Sequence, residues 1–164
     1  MKTIILSVLA LAIGAPLASF AATPDELMAA PRAFIAALDR NDINAAAKTL
    51  TASPSFIDEF PPHSWNGSDA LKQWAADYAA ANKAGHITGG KVKLGDPIVA
   101  EAEGDTAYVV AAATETYKQD GKRTAESARM VFALRREGGS WKIASWAWAG
   151  RMPHVEGAGA AKAP

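Results

Sequence analysis

The change of hydrophobic pattern near residue 86 constrains the fold of this chain more than any other feature of its sequence. Before it, apolar residues recur at helical spacing; after it, strand-like runs are separated by Gly-rich or Asp-Gly turns. In the run 123–136, Met130, Phe132 and Leu134 alternate with their neighbours, which is typical of a half-buried strand. Helices followed by an antiparallel meander predict an α+β fold, in which the helices cover one face of a curved sheet.

Three helices are predicted before the meander. Thr23-Pro24-Asp25-Glu26 opens the first helix with a capping residue and two acids, and Pro31 either kinks this helix or restarts it. A short second helix follows at 43–50, and Ser68 or Asp69 caps a third. The strand-like runs cover residues 91–94 with 98–102, 106–118, 123–136 and 141–150.

The first 21 residues are predicted to be a signal peptide. Lys2 precedes an apolar stretch, and Ser19-Phe20-Ala21 satisfies the small-x-small rule for cleavage after Ala21. We therefore expect a periplasmic or secreted protein with one domain over residues 22–152 and a flexible tail over 153–164. No later stretch approaches the length of a spanning helix, so no membrane anchor is expected.

Composition narrows the chemistry that we expect from the domain. Its 17 basic and 17 acidic residues balance, which gives no support to nucleic-acid binding. Cysteine is absent, so disulfides, thiol catalysis and thiolate metal sites are excluded. His63, His86 and His154 are far apart and form no recognised ligand spacing. No metal and no cofactor are expected.

The segment Ser55–Gly67, SFIDEFPPHSWNG, joins a strand-like start to a rigid turn and a helix entry. Together with RNDINAAAKTL before it and SWKIASWAWAG after it, this segment resembles the nuclear transport factor 2-like (NTF2-like) superfamily. That superfamily includes SnoaL-like polyketide cyclases and ketosteroid isomerases. The resemblance covers about residues 25–150 and implies a cone, in which a strongly bent sheet wraps around about three helices and leaves a pocket at its open end.

The resemblance to the isomerases implies a general base at Asp58, nine positions before the helix-opening Gly67. The isomerases also use a tyrosine and a protonated acid as oxyanion donors, and those positions fall on Phe34 and near Met130, which cannot donate. A carboxylate base without such donors leaves the charge of an enolate uncompensated. The leading hypothesis is therefore a non-catalytic domain that binds a small apolar or aromatic ligand.

Two other functions stay open. One is a SnoaL-like isomerase, cyclase or dehydratase that uses Asp58 as general base, with His63 as an acid–base partner at the pocket rim. Its plainer alternatives are an Asp58 that accepts hydrogen bonds from backbone amides of the turn and an exposed His63. The other function is an interaction module whose open sheet face forms a homodimer and binds no ligand.

The predicted ligand contacts are Phe34, Trp65, Tyr78, Met130, Trp146 and Trp148. Their alternative is plain core packing, which is the interpretation favoured for Trp74. Glu59 is expected to be solvated, because neighbouring residues of a strand point in opposite directions. Arg129 is expected to pair with Glu115 across two neighbouring strands, and its alternative is to anchor an anionic ligand in the pocket.

Overall fold

The computed structural model describes residues 22–150 and the backbone of His154–Val155. The predicted signal peptide and most of the predicted tail lie outside these described residues. Within the described part, no helix has the length and apolar character needed to cross a membrane. The elements in chain order are α1 (Pro24–Leu38), α2 (Ile43–Ala47), β1 (Leu50–Ile57), β2 (Ser64–Asn66), α3 (Ala70–Ala84), β3 (Ile87–Glu103), β4 (Thr106–Gln119), β5 (Lys122–Glu137), β6 (Ser140–Gly150) and β7 (His154–Val155).

Six strands form one open, curved sheet in the order β2-β1-β6-β5-β4-β3, and β7 pairs with β5. The pairing of β1 with β6 is parallel, and the other pairings are antiparallel. The register of β3 against β4 shifts at three places, and irregularities of this kind bend a sheet. The predicted α+β fold, with N-terminal helices against a curved sheet, is confirmed.

One bound of the predicted helices is wrong. The second helix ends at Ala47, because the chain enters β1 already at Leu50. The predicted antiparallel meander is confirmed for β3 to β6, and β1 adds to this sheet by running parallel to β6, which places Phe56 beside Trp146. Pro31 lies inside α1 without ending it, so a restart of the helix at this residue is not observed.

A capping box starts α1 and satisfies backbone N–H groups at the beginning of this helix. Thr23 Oγ1 accepts a hydrogen bond from the Glu26 amide at 3.3 Å, and Glu26 Oε2 accepts one from the Thr23 amide at 2.7 Å. One turn from its end, α1 places Phe34 against the inner face of the sheet, with ring centroids 6.4 Å from Phe56 and 6.2 Å from Trp146. The alternation predicted for β5 is confirmed, since its buried residues include Met130, Phe132 and Leu134.

Candidate functional site

A cavity of about 400 Å³ opens between α1, α3 and the inner face of the sheet. A volume of this size accommodates a small molecule. Its walls carry seven aromatic residues: Phe34, Phe60, Trp74, Tyr78, Tyr117, Trp146 and Trp148. The walls also carry four acidic residues: Asp39, Asp58, Glu59 and Glu115. The cavity therefore combines an aromatic surface with an excess of carboxylates.

Asp58 follows the last residue of β1 and projects into this cavity. Its Oδ2 accepts a hydrogen bond from Trp74 Nε1 at 2.9 Å, and its Oδ1 accepts one from the Glu59 amide at 2.8 Å. Burial raises the pKa of Asp58, and the two N–H donors oppose that rise. Since each carboxylate oxygen has two lone pairs, both oxygens can still accept a proton from a ligand.

Tyr78 on α3 and Glu115 on β4 form a second polar pair in the cavity. The Tyr78 hydroxyl donates to Glu115 Oε1 at 2.9 Å. Burial raises the pKa of Glu115 to about 7, and it also raises the pKa of Tyr78. Gly90 on β3 makes room for this pair, because a Cβ there would lie 2.9 Å from the Tyr78 hydroxyl and 3.0 Å from Glu115 Oε1. Burial therefore favours the protonated form of this carboxyl compared with an exposed glutamate.

Glu126 on β5 is not a lining residue of the cavity, but it contacts the lining residue Trp148 and is 1% exposed. It accepts a hydrogen bond from Trp148 Nε1 at 2.8 Å. The pKa of Glu59 is raised to about 7 by burial and then by the charge of the neighbouring Glu126. The two carboxylates meet over Gly150, where an added Cβ would lie 1.9 Å from Glu126 Oε1 and 2.9 Å from Glu59 Oε2. Glu59 is exposed, as predicted, and its carboxyl also lines the cavity beside Glu126.

The register between β4 and β5 explains why these acids cluster. Glu115 lies directly opposite Glu126, so both side chains project from the same face of the sheet. Arg129 lies opposite Ala112 and is exposed, and the predicted pair between Arg129 and Glu115 is therefore wrong. Like charges in directly opposed positions repel, so ionisation of both carboxyls is unfavourable.

The structure brings five of the six predicted ligand contacts to the cavity: Phe34, Tyr78, Met130, Trp146 and Trp148. Trp65 lies outside its lining; it is buried and donates its indole N–H to Asp77 at 2.8 Å. His63 is exposed, and its Nδ1 lies 3.2 Å from the backbone carbonyl oxygen of Asp58 rather than from the carboxylate. Catalytic roles for Asp58 and His63 stay predictions.

Glu115, Glu126 and Trp74 are among the residues of the site that were missed from the sequence, and two of these three carried a signal. Alternate residues of a strand face the same side of the sheet. Ala111 and Ala113 are buried, so Glu115, two residues further along, also faces inward. Met130 is buried, so Glu126, four residues before it, faces inward as well. The third residue, Trp74, fits the apolar stripe of α3, but nothing local indicates that its N–H reaches Asp58. Within residues 22–150, no three histidine, aspartate or glutamate side chains are arranged to hold a metal ion.

Comparisons with known proteins agree with this architecture. The sequence profile of a family described as SnoaL-like domain matches residues 27–148. A search of curated protein sequences finds no match.

Among similar solved structures, a hexachlorocyclohexane dehydrochlorinase is 11% identical, with a TM-score of 0.69 over 85% of this chain and 92% of that one. A ketosteroid isomerase-like protein from Erwinia carotovora atroseptica is 22% identical, with a TM-score of 0.59 over 77% and 94%. An NTF2-like superfamily protein from Salmonella enterica serovar Typhimurium is 18% identical, with a TM-score of 0.63 over 84% and 96%. At these identities the likeness shows a shared fold. Together with the SnoaL-like profile match, it confirms the resemblance to the NTF2-like superfamily.

Proposed function

The chain belongs to the SnoaL-like domain family. From this premise we propose that its cavity binds a small molecule with an aromatic or apolar body and catalyses a proton transfer from that molecule. Asp58 accepts the proton from a carbon or hydroxyl of the ligand. The Tyr78–Glu115 pair donates to the oxygen on which negative charge develops. The reaction class is an isomerisation, cyclisation or dehydration, which all require such a transfer.

The observation that carries this proposal is the different environment of two carboxyls in one cavity. Asp58 receives two N–H donors, which favour its ionised form and suit it to act as a base. Burial raises the pKa of Glu115 to about 7 and this carboxyl lies beside a hydroxyl, so its protonated form is accessible near neutral pH as a donor. A base and an acid with separate roles are the arrangement that general acid–base catalysis needs.

The oxyanion donors that are missing at Phe34 and Met130 thus have replacements on other elements. Tyr78 comes from α3 instead of α1, and Glu115 comes from β4 instead of β5. The charge of Asp58 contributes to the raised pKa of Glu115, which supports a single site for both groups. This arrangement favours the enzyme hypothesis over the non-catalytic binding domain that led from the sequence.

The experiment is proton exchange into aryl ketones in heavy water, followed by NMR. The panel contains ketones of similar size with neutral, acidic and amino substituents. Asp58→Asn should lower the exchange rate at least about 100-fold, the typical contribution of a general base. Asp77→Asn is the matched control, because Asp77 bonds Trp65 outside the cavity lining and its loss should leave exchange unchanged.

Two outcomes would contradict the proposal. Exchange at an unchanged rate in Asp58→Asn would remove Asp58 as the base. Tight binding of panel members without exchange would restore the non-catalytic binding domain. Export to the periplasm and assembly into a homodimer remain predictions, which fractionation of cells and measurement of the mass in solution can test.

A further inference from the structure

We propose that the ligand of this cavity is a cation, a protonated or quaternary amine whose charged head lies among the carboxylates and whose apolar part contacts the aromatic walls. This inference rests on the proposed function, since it names the substrate class of the same site. It departs from the steroid and polyketide ligands that the resemblance would suggest, because it follows from the charges of this chain.

The charge balance of the lining is the first argument. Four carboxylates line the cavity, and Lys91 is the one basic residue among the described lining residues. The Lys91 ammonium is engaged, because it donates to the backbone carbonyl of Asp39. The salt bridges of residues 22–150 involve the acids Asp25, Asp96 and Asp120, and none involves an acid of the cavity. An anionic ligand would therefore meet more negative than positive charge among the described lining residues.

The aromatic walls are the second argument. The rings of Trp74 and Tyr78 are stacked, with centroids 5.2 Å apart and planes at 15°. Phe60 approaches Tyr78 at 5.8 Å between centroids, and it tilts by 52°. Aromatic faces arranged around carboxylates are a surface that attracts ammonium groups, because the negative face of each ring adds to the attraction of the acids.

The third argument is independent of the acids. Trp146 lies in the cavity wall and is 3% exposed, yet its indole N–H has no hydrogen-bond acceptor among the described residues. Buried polar groups are normally paired, and a ligand atom that accepts a hydrogen bond would satisfy this one. An amine that also carries an oxygen meets both requirements.

The close approach of the carboxylates is the fourth argument. Glu115 and Glu126 lie opposite each other across β4 and β5, and Glu59 meets Glu126 over Gly150. Their hydrogen-bond donors, the Tyr78 hydroxyl and the Trp148 indole, are neutral. These donors satisfy lone pairs but leave the negative charge in place. A cation in the cavity would offset that charge, as a neutral ligand would not.

The test compares four probes of similar size by isothermal titration calorimetry on the purified protein. They are 2-phenylethylamine, benzyltrimethylammonium, 2-phenylethanol and 3-phenylpropanoate. Both cations should bind at least about 10-fold more tightly than the alcohol, and the acid should bind more weakly than the alcohol. A hydroxyl-bearing analogue, 2-amino-1-phenylethanol, should bind at least as tightly as 2-phenylethylamine.

Variants separate the charge from the shape of the cavity. Glu115→Gln and Glu59→Gln should each lower the affinity for 2-phenylethylamine about 10-fold and leave the affinity for 2-phenylethanol unchanged. Glu101→Gln is the control, because Glu101 is exposed on β3 outside the lining. Circular dichroism of each variant checks that it is folded. If Glu115→Gln does not fold, Glu59→Gln provides the test.

The inference is overturned where the alcohol or the acid binds as tightly as the cations, or where both glutamate variants retain full affinity for the amine. Its failure differs from that of the proposed function. Exchange of neutral ketones without preference for amines would overturn the cationic ligand alone. Tight, Glu115-dependent binding of amines without proton exchange would support it and overturn the proposed chemistry. Absence of binding by every probe and ketone would overturn both.

Discussion

Replacement of Glu115 by Gln should stabilise the protein at alkaline pH and leave its stability nearly unchanged at acidic pH. Burial raises the pKa of Glu115 in the folded protein from 4.5 to about 7. Because the folded state binds this proton more tightly than the unfolded state, its contribution to stability is complete below pH 4.5. That contribution is lost as the pH rises through about 7.

The magnitude follows from the same rise in pKa. A tenfold change in an acid constant corresponds to about 1.4 kcal/mol, so ionisation of Glu115 costs the folded protein about 3 kcal/mol at pH 8. Gln cannot ionise, yet its amide oxygen can still accept the Tyr78 hydrogen bond. The variant should therefore exceed the wild type by up to about 3 kcal/mol in free energy of unfolding at pH 8, and by a few tenths at pH 4.

Urea unfolding followed by tryptophan fluorescence at both pH values measures this difference. The exposed Glu101→Gln variant controls for the loss of one carboxylate and should follow the wild type at each pH. A stability difference for Glu115→Gln that is equal at pH 4 and pH 8 would refute the reasoning, because it would place the effect in packing rather than in ionisation.

Three further perturbations test the geometry of the site and fold. Gly150→Ala would bring its Cβ within 1.9 Å of Glu126 Oε1, and should lower the free energy of unfolding by about 1–3 kcal/mol in urea titrations. Trp74→Phe removes an N–H donor from Asp58, so the pKa of Asp58 should rise further in an NMR titration of its carboxyl carbon. Thr23→Ala removes the capping box of α1 and should cost about 1 kcal/mol in the same urea titrations.

Matched variants separate these effects from general damage. Gly95→Ala is the control for the glycine, because its Cβ would meet nothing closer than 3.5 Å. Trp65→Phe removes an indole donor from Asp77 and should leave the titration of Asp58 unchanged. An equal loss of stability in both glycine variants would contradict the steric argument. An equal change in the pKa of Asp58 in both tryptophan variants would contradict the electrostatic argument.

The fold was accessible from the sequence because its second half is locally encoded. Turn residues fix the hairpins, and the alternation around Phe132 fixes the buried face of β5. The parallel pairing of β1 with β6 was not accessible. It joins Phe56 to Trp146 across most of the chain, and no local pattern distinguishes that neighbour from another.

The site was only partly accessible for a related reason. Asp58 is placed by its distance from the turn, but its hydrogen bond to Trp74 depends on how α3 packs against the end of β1. Glu115 and Glu126 lie at inward positions of strands whose alternation is clear. Charged residues are normally expected on the solvated face of a strand, so these two glutamates were not recognised as site residues. Charged residues at inward strand positions therefore indicate where the site lies.

Carboxylates at inward positions lose their hydration, so each requires an interaction that compensates for this loss. The structure shows hydrogen bonds in this role. Each of three carboxylates accepts a hydrogen bond from a neutral aromatic donor: Asp58 from Trp74, Glu115 from Tyr78 and Glu126 from Trp148. Such donors stabilise a carboxylate but carry no charge of their own. The remaining repulsion can be relieved by a proton or by a bound cation. Because Glu59 and Glu115 have pKa values of about 7, both forms of relief compete near neutral pH. A cation that binds beside Glu59 should therefore release the proton of this carboxyl, and the number of protons released should vanish at a pH well above 7.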